Sequence, residues 1–341
     1  MAHKNIAAAL LALPLLVGAA LQSPEPLPEA GEAHFTAAPP PAETLAAALI
    51  QPFDVDATRR MAVPVKIGAN GPYSFLVDTG AERTVISREL AQRLGLTRGQ
   101  MLRLATISGP TTAPSYKVAA LAMTNMTLAP FDAPALHGSH IGAAGLLGVD
   151  MLQGRRVLID FRKEEMRISE SRRKTRPIIR DDDAIVVTAR NLAGRLILSD
   201  ARIGGKRVHV IVDTGAQTSI GNLAMMQLVR KSRQQRFDFV DTSLTGVNGQ
   251  TISAQQTVLR RVSIEGIDVN DLSVSFADSH AFRALGLKDR PAMLLGMDGL
   301  QLFDRIEIDY ANKRIIFDLP DAASRSGGER LAADHARNPR G

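Results

Sequence analysis

Between residues 57 and 320 the apolar positions fall in short runs broken by Gly, Asn and Pro. This pattern predicts short strands joined by tight turns, with only a few short helices. The runs also occur twice in the same order. Phe75-Leu76-Val77-Asp78-Thr79-Gly80-Ala81, followed by Thr84-Val85-Ile86-Ser87, is matched by Val210-Ile211-Val212-Asp213-Thr214-Gly215-Ala216, followed by Thr218-Ser219-Ile220. Farther along, Leu146-Leu147-Gly148-Val149-Asp150 is matched by Leu294-Leu295-Gly296-Met297-Asp298. Each of these leads into a strand–turn–strand, 156–161 with 166–168 in the first copy and 305–309 with 314–317 in the second. The distance from Gly80 to Gly148 is 68 residues and that from Gly215 to Gly296 is 81, so the second copy carries insertions on a shared plan.

Within each copy the turn chemistry predicts the same local order. A strand pair precedes each Asp, turning at Asn70-Gly71 in the first copy and at Gly204-Gly205 in the second. A short helix follows each motif, with Ser87 capping 88–94 and Asn222 capping 223–230. A central hairpin comes next, at Ser108-Gly109-Pro110-Thr111 and at Val247-Asn248-Gly249-Gln250, the second carrying a type I′ signal. Short strands with this punctuation point to an all-β fold of two small barrels or closed sheets.

The ends of the chain read differently. Residues 1–20 hold Lys4, an unbroken apolar run from Ile6 to Ala20, and small residues at Gly18-Ala19-Ala20. That is an export signal, too short for the roughly 20 residues of a membrane span. An uncleaved inner-membrane anchor is the alternative. Residues 21–56 are rich in Pro, Ala and Glu and predict a tether. The basic-to-acidic segment 171–183 predicts a solvated linker between lobes at 57–170 and 184–320, and 321–341 predicts a disordered tail. The mature protein is therefore expected to be periplasmic or otherwise exported.

Composition narrows the chemistry. The 341 residues contain no cysteine, which excludes disulfide scaffolds, zinc ribbons and thiol nucleophiles. Aromatics make up only 4% of the chain, with no Trp, which disfavours stacking of sugars or bases. A net charge of +6 over this length is a mild bias and does not call for a nucleic-acid partner. Neither a metal nor a cofactor is expected.

Asp78 and Asp213 remain as the chemistry-bearing pair. Each ends a buried strand and precedes a Gly that permits a sharp turn and close approach of another chain. A single such Asp is usually a strand-end residue satisfying a turn. Duplicated lobes packed about a pseudo-two-fold axis bring twin elements together. Two adjacent carboxylates cannot both ionise easily, so they share a proton and divide into base and acid. Such a pair can activate water against a carbonyl.

These residues resemble the retropepsin-like aspartic protease family, here with Asp-Thr-Gly-Ala twice in one exported chain. The resemblance covers roughly 57–320 and implies two lobes in a pseudo-two-fold arrangement, pairing as a monomeric pseudo-dimer. It implies catalysis by Asp78 and Asp213, with support from Thr79, Gly80, Ala81, Thr214, Gly215 and Ala216. Thr79 and Thr214 would interlock beneath the pair, and the strands at 146–148 and 294–296 would brace the two loops. Ser108, Gly109, Pro110 and Thr111, with Val247, Asn248, Gly249 and Gln250, would be flaps over an extended protein or peptide substrate. Ala81 and Ala216 follow the retroviral type, and the unequal flaps imply an asymmetric cleft.

Other constellations have blander readings. The glycines of 142–148 lack nucleotide-loop spacing and are explained by the repeat. His137 and His140 lack a third metal ligand. Asp150 and Asp298 are expected to cap the short helices after their glycines, and Asp160 and Asp309 to be structural. Two other function classes compete with an endopeptidase. A catalytically silent peptide-binding scaffold usually loses an Asp, and both are present here. A glycosidase also uses two carboxylates but has no need of twin Asp-Thr-Gly motifs.

Overall fold

The computed structural model describes residues 49–52, 54–55, 60–123, 126–174, 176–179, 184–192, 195–231, 238–264 and 266–320. The export signal at 1–20, the tail at 321–341 and much of the tether lie outside the described residues.

Each copy of the repeat folds as a β-rich lobe. In the second lobe an eight-stranded sheet runs Arg190–Leu192, Arg195–Ile203, Lys206–Val212, Ala292–Leu295, Ser219–Gly221, Ile267–Phe276, Thr251–Ile264, Val240–Thr245. A further pairing of Arg195–Ile203 with Thr251–Ile264 curls this sheet toward a barrel. The first lobe follows the same path in a ten-stranded sheet. There the two long strands of the second lobe are broken, into Gly109–Val118 with Leu121–Met123 and Met126–Leu128 with Phe131–Leu136.

In both lobes the strand before the Asp-Thr-Gly lies in the middle of the sheet. Asn70–Val77 pairs in parallel with Gly145–Leu147, and Lys206–Val212 in parallel with Ala292–Leu295. Central strands are buried on both faces, which is why Phe75, Leu76 and Val77 form a continuous apolar run. The expected helix caps form. The Ser87 hydroxyl accepts from the Leu90 N–H at 3.1 Å, and Asn222 Oδ1 accepts from the Met225 N–H at 2.8 Å. The turn at Gly204-Gly205 also forms, with φ of 54° and 76°. In the first lobe the turn falls at Gly68-Ala69 instead, and Asn70-Gly71 begins the return strand. Gly68 supplies the positive φ there, at 58°, so the turn closes earlier than the Asn-Gly signal implied.

The strand–turn–strand units at the ends of the repeats do not complete separate lobes. They join in one six-stranded sheet, ordered Leu49–Pro52, Glu165–Glu170, Arg155–Asp160, Arg305–Asp309, Arg314–Asp318, Ile185–Thr188. The two copies meet antiparallel at its centre, with Arg156 opposite Asp309, Leu158 opposite Glu307 and Asp160 opposite Arg305. Leu158 and Glu307 occupy the same place in the repeat, so the pseudo-two-fold axis passes between them. Alone, each hairpin would expose an unpaired edge and the fully buried Val157, Ile159, Ile306 and Ile308.

This shared sheet also revises the connectors. Part of the expected tether is strand, since Leu49–Pro52 pairs with the sheet's outer edge and Asp54–Val55 with Met61–Ile67. Edge pairing uses backbone groups, which composition does not reveal. Within 171–183, Ile179 is buried and Ile178 partly buried. Their N–H groups donate to Glu307 Oε2 at 2.7 and 3.0 Å, and the Ile179 side chain packs with Leu158 and Ile316. Burial pushes the Glu307 carboxyl above the usual range, opposed by these two N–H donors.

Candidate active site

Both Asp residues stand where a central strand runs out. The Asp78 N–H donates to Leu147 O at 2.9 Å and the Asp213 N–H to Leu295 O at 3.0 Å, so the neighbouring parallel strand braces each loop. Each carboxylate then folds back on its own loop. Asp78 Oδ1 accepts from the Gly80 and Ala81 N–H groups, both at 2.8 Å. Asp213 Oδ1 accepts from Gly215 at 3.1 Å and Ala216 at 3.2 Å.

The glycines bring the two loops together. A β-carbon on Gly80 would lie 2.5 Å from Asp213 Cγ, and one on Gly215 would lie 2.2 Å from Asp78 Cγ. Each carboxylate therefore rests on the opposite lobe's glycine, in space that any side chain would fill. Beneath them, Thr79 Oγ1 accepts from the Thr214 N–H at 3.1 Å and donates to Val212 O at 2.8 Å. Thr214 Oγ1 does the same in reverse, accepting from the Thr79 N–H at 3.1 Å and donating to Val77 O at 2.7 Å. Every polar group of these two buried threonines named here is paired across the lobe boundary, which fixes the loops relative to one another.

Electrostatics follow from this geometry. Burial raises Asp78, and the Ala81 N–H, the Arg195 charge, the Gly80 N–H and the Arg60 charge oppose it. Asp213 is pushed up to about 7, first by burial and then by the charge of Asp78. Tyr310, buried beside the pair, is also pushed up, by burial and by Asp78. The pair thus holds one proton readily and two charges with difficulty.

Asp150 accepts from no N–H of the helix that follows its glycine, and Asp298 accepts from only one, that of Gly299 at 2.8 Å. Asp150 instead accepts from the Thr84 N–H and hydroxyl at 3.0 and 2.8 Å, and Asp298 from the Ser219 N–H and hydroxyl at 3.0 and 2.7 Å. They tie the segment after each Asp-Thr-Gly to the bracing strand. The N–H groups of Gly148 and Gly296 close the link by donating to those same hydroxyls. Asp160 and Asp309 are structural as expected, accepting from Arg162 and Lys163 N–H groups and from the Ser171 hydroxyl respectively.

Arg195 was missed in the sequence. Its Nε donates to Gly80 O in the opposite lobe at 2.6 Å. The signal lay in the repeat, because Arg60 and Arg195 each stand eighteen residues before their Asp.

The two central hairpins meet at their tips. In the first, the turn is Ile107-Ser108, and Gly109, Pro110 and Thr111 already pair with Thr106, Ala105 and Leu104. In the second, Val247, Asn248, Gly249 and Gln250 belong to a five-residue loop over 246–250, longer than a type I′ turn. It is closed by Gly249 N–H to Gly246 O at 2.8 Å. The Ser108 hydroxyl donates to Asn248 Oδ1 at 2.8 Å. Each tip also touches the opposite lobe. Ile107 O accepts from the Ser279 hydroxyl and the His280 N–H, both at 3.0 Å. A β-carbon on Gly249 would lie 2.4 Å from the His140 ring. His137 and His140 sit edge to face with ring centroids 5.4 Å apart, and His137 lies 3.4 Å from Glu89.

Comparison with known proteins adds two findings. Residues 63–154 match the gag-polyprotein aspartyl protease family model, and residues 199–298 match the aspartyl protease family model. Each match contains one Asp-Thr-Gly. No curated protein matches the chain.

Proposed function

The chain belongs to the retropepsin-like aspartic protease family, with two such domains in tandem, and on that premise we propose that it is an endopeptidase whose Asp78 and Asp213 form one catalytic pair. The observation that carries this reading is the reciprocal seating of each carboxylate on the opposite lobe's glycine. In the working form Asp213 keeps a proton and Asp78 is ionised. Asp78 takes a proton from a bound water as its oxygen attacks the scissile carbonyl carbon, and Asp213 protonates the carbonyl oxygen. The resulting gem-diol returns a hydroxyl proton to Asp213 and collapses as the C–N bond breaks, and the amide nitrogen receives the proton held by Asp78. One water is consumed, and a carboxylic acid and an amine leave. Nothing in this sequence of steps calls for a metal or cofactor.

The substrate is a protein or peptide held extended beneath the flaps Ser108–Thr111 and Val247–Gln250, through strand-like backbone bonds. The protein works as a monomer, its two lobes supplying one carboxylate each. It acts outside the cytoplasmic membrane, as the apolar run of residues 1–20 supports. Fractionating cells that express the full chain, or one lacking residues 2–20, tests this location; equal export of both overturns it. A full-length protein retained in the membrane pellet would indicate the uncleaved anchor.

Digestion of an unbiased peptide library tests the activity. Wild type is expected to cleave, and Asp78→Asn, Asp213→Asn and the double variant to be nearly inactive with similar residual rates. Rate should follow a bell in pH, because the pair works with one proton and fails with none or two. With Asp213 near 7, activity should extend toward neutrality. A single Asn variant that keeps substantial activity overturns the shared-proton pair.

A further inference from the structure

The two lobes are not equivalent around the carboxylates. Arg60 and Arg195 occupy the same position in the repeat, yet they make different contacts. Arg60 Nη2 donates to Ile141 O at 3.0 Å, inside its own lobe. Arg195, half-buried, reaches out of the second lobe to the carbonyl of Gly80 at 2.6 Å, in the middle of the first lobe's Asp-Thr-Gly loop. That carbonyl belongs to the residue whose N–H holds Asp78 Oδ1, and whose α-carbon supports Asp213. One guanidinium thus touches Gly80, one of the two glycines that both carboxylates share.

We propose that Arg195 is a positioning residue for the pair: it anchors the first lobe's loop from the second lobe through Gly80, and its charge favours ionisation of the two carboxyls. The inference rests on reading Asp78 and Asp213 as the working pair. Several groups among the described residues act on the two carboxyls. From the loops come the N–H groups of Gly80, Ala81, Gly215 and Ala216, and just past the strand Arg305–Asp309 the buried Tyr310 feels the charge of Asp78. The cations are Arg195 and Arg60, while Glu82 and Arg83, next along the first loop, are exposed. Arg195 opposes the effect of burial on both carboxyls, whereas Arg60 acts on Asp78 after all the others. Without a cation at 195, loss of each proton becomes harder and both titration steps move to higher pH.

The test is carboxyl ¹³C NMR titration of the intact protein, which reads the pair whether or not it turns over substrate. Arg195→Gln is expected to raise both apparent steps by about half a unit or more, and to move both limbs of the pH profile of kcat/KM with them. Arg195→Lys keeps the charge and loses the planar fork. It should titrate close to wild type while kcat falls. Arg60→Gln should shift the pair less than Arg195→Gln. An unchanged titration in Arg195→Gln, or a shift in Arg195→Lys as large as half a unit, overturns the proposal. The lysine variant decides alone should the glutamine variant not fold. The expected shifts in a protein that cleaves no peptide would uphold the role of Arg195 and sink the endopeptidase reading.

Discussion

At the residue scale the carboxyl pair works against the stability of the fold. Asp213 is raised from its ordinary 3.8 to about 7, so the unfolded chain gives up this proton before the folded one does. The sign follows: folding is favoured below the unfolded value and loses stability as pH rises through the folded one. Asp213→Asn removes the charge and keeps an oxygen for the Gly215 and Ala216 N–H groups. It should therefore be more stable than wild type above pH ~7, by on the order of a few kcal/mol, with no gain near pH ~4. Thermal melts at both pH values check this. Equal melting of the two proteins at high pH would mean that the pair is not strained by its charge. The Asp residues, their glycines and the threonines were legible in the sequence because each motif occurs twice. Asp150 and Asp298 were visible for the same reason but misassigned. Position after a glycine suggested a cap, and only the fold brought Thr84 and Ser219 within reach.

At the element scale the two central hairpins show what local pattern can and cannot supply. Both hairpins were legible from their turn residues, yet one turn shifted to Ile107-Ser108 and the other lengthened to 246–250. Their mutual contact was not legible, because Ser108 and Asn248 lie 140 residues apart. Ser279 is an informative probe. Its hydroxyl accepts from the Ala281 N–H as a helix cap and donates to Ile107 O at the tip of the opposite lobe's hairpin. Ser279→Asp retains a capping acceptor and loses the donor. Hydrogen exchange at 107–109 should quicken several-fold in that variant, while the helix His280–Ala284 keeps its protection. Unchanged exchange at the hairpin tip would show that Ser279 does not restrain it.

At the scale of the whole molecule the six-stranded sheet makes two lobes into one body. It is built half from each copy, and its central strands bury Val157, Ile159, Ile306 and Ile308 completely. A chain ending at residue 179 would leave Arg155–Asp160 without its partner Arg305–Asp309. Such a half-molecule should elute in size-exclusion chromatography as a dimer or larger species, since an open edge beside an apolar face recruits another copy. A stable monomeric half would show that each lobe is self-sufficient. The shared sheet also explains why Glu307, the polar member of a buried alternating run, is tolerated. It holds the connector at Ile178 and Ile179, which no repeat-based comparison with Leu158 suggests.

The sequence by itself determined the duplication, the all-β character, the central strands and the two Asp-Thr-Gly loops at their ends. These are local properties, written in alternation, turn residues and repetition, and they survive whatever the rest of the chain does. Only the tertiary structure decided which surfaces the twins share: the interlocked threonines, the carboxylates seated on opposite glycines, the joint sheet and the reach of Arg195 to Gly80. Each of these depends on pairing between residues more than a hundred positions apart. Such contacts depend on how two closed sheets pack, and neither sheet's own pattern records its neighbour.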